Sequence, residues 1–211
     1  MDGPIHHTIE RGSRKFVFLR GSEIPSFSQI TTIFEPAIEM VLADSPPPPA
    51  GEYYLAGPAG SKNLFEMPAH DVPSGAACEC GVTAAGQQGR WDAIWADIGL
   101  APRDNLILHN LTGINNRVVE IRSQGGSESD AQFVIAAALV HELRHVKDHQ
   151  RMLCDWRGEA QAFEDQCDFM TRTAAMYGVH PDFLDAEIRR CRKTEREYEI
   201  EWRKRHPSWR A

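Results

Sequence analysis

The residues best placed to do chemistry together are His141, Glu142 and His145, in the run His141-Glu142-Leu143-Arg144-His145. The stretch leading into it, Ala131 to Val140, contains no glycine or proline and reads as a helix. On a helix, positions four apart lie one turn above each other on the same face. His141 and His145 can therefore aim two imidazole nitrogens at one point, as a tetrahedral zinc ion requires. Glu142 is offset by about 100° from His141. That offset suits a base acting on water activated by the metal better than it suits a ligand. The histidine face also carries Val134, Ala138 and Met152, whereas Arg144, Lys147 and Arg151 fall on another face. Ser127-Glu128-Ser129-Asp130 supplies N-cap candidates and first-turn acids for the start of this helix. The competing reading is a buried helix whose histidines only hydrogen-bond to their neighbours.

A catalytic zinc takes three protein ligands and keeps one position open. Cys154-Asp155-Trp156-Arg157-Gly158 reads as a break between two helices. Glu159 then falls in the first turn of the second helix, fourteen residues after His145, with room for the chain to turn and return against the histidine face. Asp155, in the turn, and Glu164, further along the second helix, are the rival carboxylates. His149 lies about 12 Å from His141 along a straight helix axis, so it suits a place beside the site or in solvent better than a share of the same ion. Asp165 and Asp168 are candidates to accept a hydrogen bond from a ligand imidazole, or are simply solvated.

These residues resemble the zincin metallopeptidases, and Glu159-Ala160-Gln161-Ala162 is similar to the glutamate-ligand branch, the gluzincins. The resemblance runs from Ser127 to Tyr177, about a quarter of the chain. The metzincin pattern is excluded, because Asp148 and Arg151 stand where its glycine and third histidine belong. The resemblance implies an α+β fold, with a small mixed or antiparallel sheet packed on the motif helix and on the ligand helix that follows. It also implies one Zn2+ per chain held by His141, His145 and Glu159, a peptide or protein substrate, and hydrolysis with Glu142 as general base. An edge strand before the motif helix, where a peptide could add as a further strand, is expected at Val118 to Arg122. Tyr177 and His180 are candidate donors to the oxyanion, although a tyrosine closing a helix end is the plainer account. Arg144 and Arg157 are candidate partners for a carboxylate or carbonyl, or surface residues. Two other classes of function compete: a zinc-binding protein without catalysis, and an interaction module using the proline-rich segment and the C-terminal helix.

The remaining chain must position this site. Residues 1–50 read as a strand (Lys15 to Arg20) and a helix (Ser26 to Leu42, split or kinked at Pro36) leading into the spacer Pro46-Pro47-Pro48-Pro49. Residues 51–211 carry the catalytic domain, and the two portions belong together as one domain or a domain with an extension. Gly51 to Gly89 shows little periodicity, with Tyr53, Tyr54 and Phe65 packing on the body or lining a cleft. Cys78-Glu79-Cys80 has no matching pair and reads as two free thiols. A short helix is expected over Arg90 to Ile98, and a hairpin from Asn105–His109 and Arg117–Arg122 joined by Thr112 to Asn116. Gly125-Gly126 makes the turn into the motif helix. Asp182 to Arg205 forms a charged helix with a narrow seam of Phe183, Leu184, Ile188, Cys191, Tyr198 and Trp202.

A net charge of −7 argues against a nucleic-acid partner. No apolar run reaches membrane-spanning length, and Met1 to His7 lacks the order of a signal peptide. Five cysteines, an odd number, fit a reducing compartment better than a disulfide framework. The expectation is a cytoplasmic protein, or one exported without a cleaved signal.

Overall fold

The computed structural model describes residues 5–19, 26–56, 81–83, 106–109, 111–149 and 156–205. Strands β1 (Ile5–Arg11) and β2 (Arg14–Leu19) pair antiparallel, and β3 (Gly51–Ala56) lies parallel to β2. β4 (Gly81–Thr83) and β5 (Leu106–His109) complete a mixed sheet in the order β1-β2-β3-β5-β4. β5 runs parallel to β3, and β4 runs antiparallel to β5 at the sheet edge. With the helices below, the architecture is α+β.

Phe16, Val17 and Phe18 are all buried, so β2 is covered on both faces, which is why it reads as an unbroken apolar run. The same physics corrects the reading of Gly51 to Gly89 at its start. Tyr53, Tyr54 and Leu55 are consecutive and all buried in β3, a central strand whose two covered faces leave no alternation to detect. Tyr53 stacks on Phe16 of β2, with ring centroids 5.1 Å apart. The proline segment is a loop held to this sheet, its Pro49 carbonyl accepting from the Tyr53 hydroxyl at 2.7 Å and its Pro48 carbonyl from Arg14. Phe65, Cys78, Cys80 and the expected helix over Arg90 to Ile98 lie outside the described residues.

A capping box opens the first helical region: Gln29 N–H donates to Ser26 Oγ, and Ser26 N–H to Gln29 Oε1. A π turn (Ile30–Phe34) leads without a break into α1 (Glu35–Ala43), and Pro36 stands just past that turn, so the irregular hydrogen-bond register falls beside the residue that lacks an N–H.

The stretch expected to form the edge strand is instead helical. α2 spans Leu111–Ser123, with Ile114, Arg117, Val118 and Ile121 buried and Asn115, Asn116, Val119, Glu120 and Arg122 exposed. Those spacings of three and four are helical, and they prevail over the short alternation of Val118 to Arg122. The loop expected at Thr112 to Asn116 is therefore part of the same helix. The edge strand neighbouring β5 is β4, and it packs against the motif helix.

Gly125 (φ +84) and Gly126 close α2: Gly125 N–H donates to the Arg122 carbonyl and Gly126 N–H to that of Ile121, a Schellman closure. A Cβ at Gly126 would meet Ile121 Cγ2 at 2.6 Å, so the chain turns there only without a side chain. A second capping box then starts α3 (Glu128–His149): Asp130 N–H donates to Ser127 Oγ, and Ser127 N–H to Asp130 Oδ2. α3 is central, with Ala131, Phe133, Val134, Ile135, Ala136, Ala137 and Leu139 all buried.

α4 (Trp156–Thr173) packs on α3, and α5 (Pro181–Arg205) packs on α4. Phe133 of α3 stacks with Phe169 of α4 at 5.7 Å. Cys167 of α4 and Cys191 of α5 form a disulfide, their Cα atoms 6.4 Å apart. The cysteine count argued against a disulfide framework; helix packing, which that count does not encode, brings this one pair together. A buried ion pair between Arg117 of α2 and Glu187 of α5 ties the last helix back to the body. Among the described residues, no helix is long and apolar enough to cross a membrane.

Candidate metal centre

α3 and α4 bring His141, His145 and Glu159 to one place, where each can offer one ligand atom to a metal ion. The i,i+4 spacing puts the two imidazoles on one face of α3, with ring centroids 4.8 Å apart and planes at 75°. Glu159 comes from the first turn of α4, which packs on α3. His141 Nε2 lies 3.0 Å from His145 Nε2 and 3.4 Å from Glu159 Oε2, and His145 Nε2 lies 3.3 Å from Glu159 Oε1.

These separations test whether a metal fits. Three ligand atoms at about 2.0–2.1 Å from a tetrahedral ion stand about 3.3 Å from one another. The two Nε2 atoms at 3.0 Å are near that size, and each imidazole faces its own oxygen of Glu159, at 3.4 Å from His141 to Oε2 and 3.3 Å from His145 to Oε1, so the carboxylate spans the pair. Two imidazoles and a carboxylate are also donors suited to a divalent transition metal. The access is graded: His141 is buried, His145 mostly so, and the Glu159 side chain is 35% exposed. Burial alone would push the Glu159 carboxyl up, but the charges and hydrogen bonds of His145 and His141 outweigh it and hold the carboxyl well below the usual range.

Glu142 follows His141 on α3 and is buried, at 3% exposure. The helix offset of about 100° turns it away from the line of the two histidines. Arg144, the next residue but one, forks across α4, donating to Asp165 Oδ2 at 3.0 Å and to Gln161 Oε1 at 2.9 Å. Asp165, considered as an acceptor for a ligand imidazole, is therefore engaged by Arg144. Asp168 pairs with Arg192 on α5, and Glu164 is exposed. His141 Nδ1 is buried and, among the described residues, has no hydrogen-bond partner.

The structure does not bring Tyr177 and His180 to the triad. About 21 Å of helix separates Glu159 from Thr173 at 1.5 Å per residue, and both residues lie beyond that far end. The Tyr177 hydroxyl donates to the Met40 carbonyl at 3.4 Å, and its ring packs near Phe133. His180 is exposed and accepts the Asp182 N–H through Nδ1 at 3.3 Å, at the start of α5. His149 is the last residue of α3; its side chain, that of Arg157, and the whole of Asp155 lie outside the described residues.

Two neighbours of the triad were not singled out by sequence. Phe163 meets the His141 ring edge-on, with centroids 4.4 Å apart and planes at 65°. Tyr198 of α5 stacks on Phe163 at 5.7 Å. The signal for Phe163 was its position, one helical turn after Glu159 and therefore on the same face. For Tyr198 there was none beyond its place in an apolar seam. Compared with known proteins, the chain matches no family model, no curated protein and no solved structure.

Proposed function

We propose that the protein is a zinc-dependent hydrolase of peptide bonds, of the zincin type, with zinc held by His141, His145 and Glu159. The observation that carries this reading is the convergence of His141, His145 and Glu159, whose ligand atoms lie within 4.8 Å of one another, with the two imidazole Nε2 atoms 3.0 Å apart and each within 3.4 Å of one Glu159 oxygen. Zinc bound there would lower the pKa of a coordinated water and polarise a carbonyl. The chain supplies the rest. Glu142, beside His141 and shielded from bulk water, accepts a proton from the attacking water and delivers it to the leaving amine. β4 ends the sheet antiparallel to β5 and packs on α3, so an extended peptide has a strand edge to join close to the motif helix.

The test pairs metal analysis with proteolysis. The purified protein is expected to carry about one zinc per chain, as a single three-ligand site implies, and His141→Ala or His145→Ala is expected to lose it. Digestion of a broad peptide library is expected from the parent. Glu142→Gln should keep zinc while turnover falls by about 10² to 10⁴. Unchanged zinc in both histidine variants refutes the site. Stoichiometric zinc with Glu142→Gln cleaving at the parent rate refutes the mechanism, and zinc without cleavage transfers the assignment to a non-catalytic zinc protein.

A further inference from the structure

A metal-binding imidazole must hold its ring so that the Nε2 lone pair points at the ion. The usual device is an acceptor on Nδ1–H. His141 has no such acceptor among the described residues, although its Nδ1 is fully buried. What borders the ring instead is Phe163, edge-on at 4.4 Å and 65°, an arrangement in which the positive edge of one ring meets the negative face of the other. Phe163 is in turn backed by Tyr198, stacked on it at 5.7 Å and 27° and only 5% exposed. Tyr198 also buries Ala160, the neighbour of Glu159. One side chain of α5 thus lies behind both a candidate ligand histidine and the turn that carries the candidate ligand glutamate.

We propose that Phe163, held in place by Tyr198, is a positioning residue for His141, so that α5 sets the metal affinity of a centre to which none of its described side chains contributes a ligand. The inference rests on the reading of His141, His145 and Glu159 as a metal site. The geometry favours this division of labour for two reasons. Phe163 follows Glu159 by one turn of α4, so the residue that orients His141 moves with the residue that completes the site. Cys191 Sγ of α5 lies 3.2 Å from the Phe163 carbonyl, so the backbone as well as the ring of Phe163 rests on α5.

The experiment uses the full chain stripped of metal and titrated with zinc against a chromophoric chelator, and in parallel with Co2+, whose visible absorption reports ligand geometry. Phe163→Leu, the milder Phe163→Met and Tyr198→Ala are expected to weaken zinc binding by about 10- to 100-fold, the range for losing a group that orients a ligand. The same variants should alter the Co2+ spectrum. Tyr198→Phe, which keeps the stacked ring, should match the parent in both. Thermal melting of the metal-free proteins separates this role from simple packing, since a packing residue lowers the melting temperature without moving the Co2+ spectrum. Zinc affinity within about twofold of the parent and an unchanged Co2+ spectrum in the folded Phe163 variants would overturn the inference. So would an equal loss in Tyr198→Phe, which would assign the effect to the hydroxyl. A parent that binds neither metal would overturn the site itself, and is thereby distinguished from failure of the positioning role.

Discussion

Arg144 on the motif helix donates to Asp165 on the following helix across 3.0 Å, and its second branch reaches Gln161 one turn earlier. The side chain standing between the two candidate ligand histidines in sequence thus joins α3 to the helix that brings Glu159. A guanidinium forked across one turn constrains both the separation and the rotation of its partner helix, which a point charge does not. The fork therefore acts on the same quantity the triad depends on, the approach of α4 to α3.

Arg144→Met keeps much of the packing stem and removes the fork. With Asp165 partly solvent-exposed, the loss of stability is expected at about 1 kcal/mol, the upper range for screened pairs. Asp165→Asn should cost a similar amount. The double variant should cost less than the sum, read by urea denaturation as a coupling energy. Strict additivity would show that the pair does not join the helices energetically.

The choice among carboxylates is open to direct measurement. Glu159→Gln should weaken zinc binding clearly, because a neutral amide oxygen is a poorer ligand than a carboxylate. Glu164→Gln should not, since Glu164 is exposed outside the triad. Asp155→Asn is expected to bind zinc as the parent does. Loss of zinc in Asp155→Asn with retention in Glu159→Gln would move the third ligand into the turn.

The Arg117–Glu187 pair makes a stability prediction independent of metal. Both side chains are below a tenth exposed, and Arg117 also pairs with Glu120 at the surface. Glu187→Leu leaves the guanidinium buried beside one remaining, half-exposed carboxylate. The expected cost is about 3 kcal/mol, at the low end for breaking a buried pair because Glu120 remains. Arg117→Met combined with Glu187→Leu should recover much of that loss, since it removes the stranded charge. Equilibrium denaturation of the single and double variants decides the matter, and a double variant weaker than Glu187→Leu contradicts this account.

Alkaline pH should reveal Tyr53. Burial raises its phenol above the ordinary value, only partly offset by the charge of Arg14. A raised pKa in the folded state means that folding favours the neutral phenol. Its contribution is fully present below the unfolded value of about 10 and is lost as pH climbs from there towards the folded value. Ultraviolet titration should show a late-ionising tyrosine that disappears in Tyr53→Phe. Denaturation midpoints of Tyr53→Phe should fall less steeply above pH 10 than those of the parent, with Tyr177, raised by burial and by Asp44, accounting for part of what remains.

Much of the site was legible without a structure because its signals are local. The Ser127–Asp130 capping box, the apolar stretch that follows and the i,i+4 histidines all act within a turn or two, and they specify a helix with two imidazoles on one side. The break read at Cys154 to Gly158 extends too far along the chain, since Trp156, Arg157 and Gly158 already belong to α4. Strand β2 announced itself as an apolar run because both of its faces are covered. Helical periodicity was also present in Ile114, Val118 and Ile121, but a five-residue window at Val118 to Arg122 hid it behind an alternation of similar length.

What only the tertiary structure decided is which of these elements meet. Amphipathic pattern states that a face is to be buried, and leaves open against what. Glu159 and Glu164 were both available on one helix, and only the seating of α4 on α3 puts Glu159 at 3.3–3.4 Å from the two imidazoles and leaves Glu164 in solvent. The edge strand beside the motif helix is β4, a three-residue piece too short to carry a pattern, recruited by pairing with β5. Cys167 with Cys191, Arg117 with Glu187, and Phe163 between His141 and Tyr198 are likewise contacts between separate helices rather than within one. Helix-on-helix packing, cooperative over whole faces and without a local signature in any single segment, is the physical reason they emerge only in three dimensions.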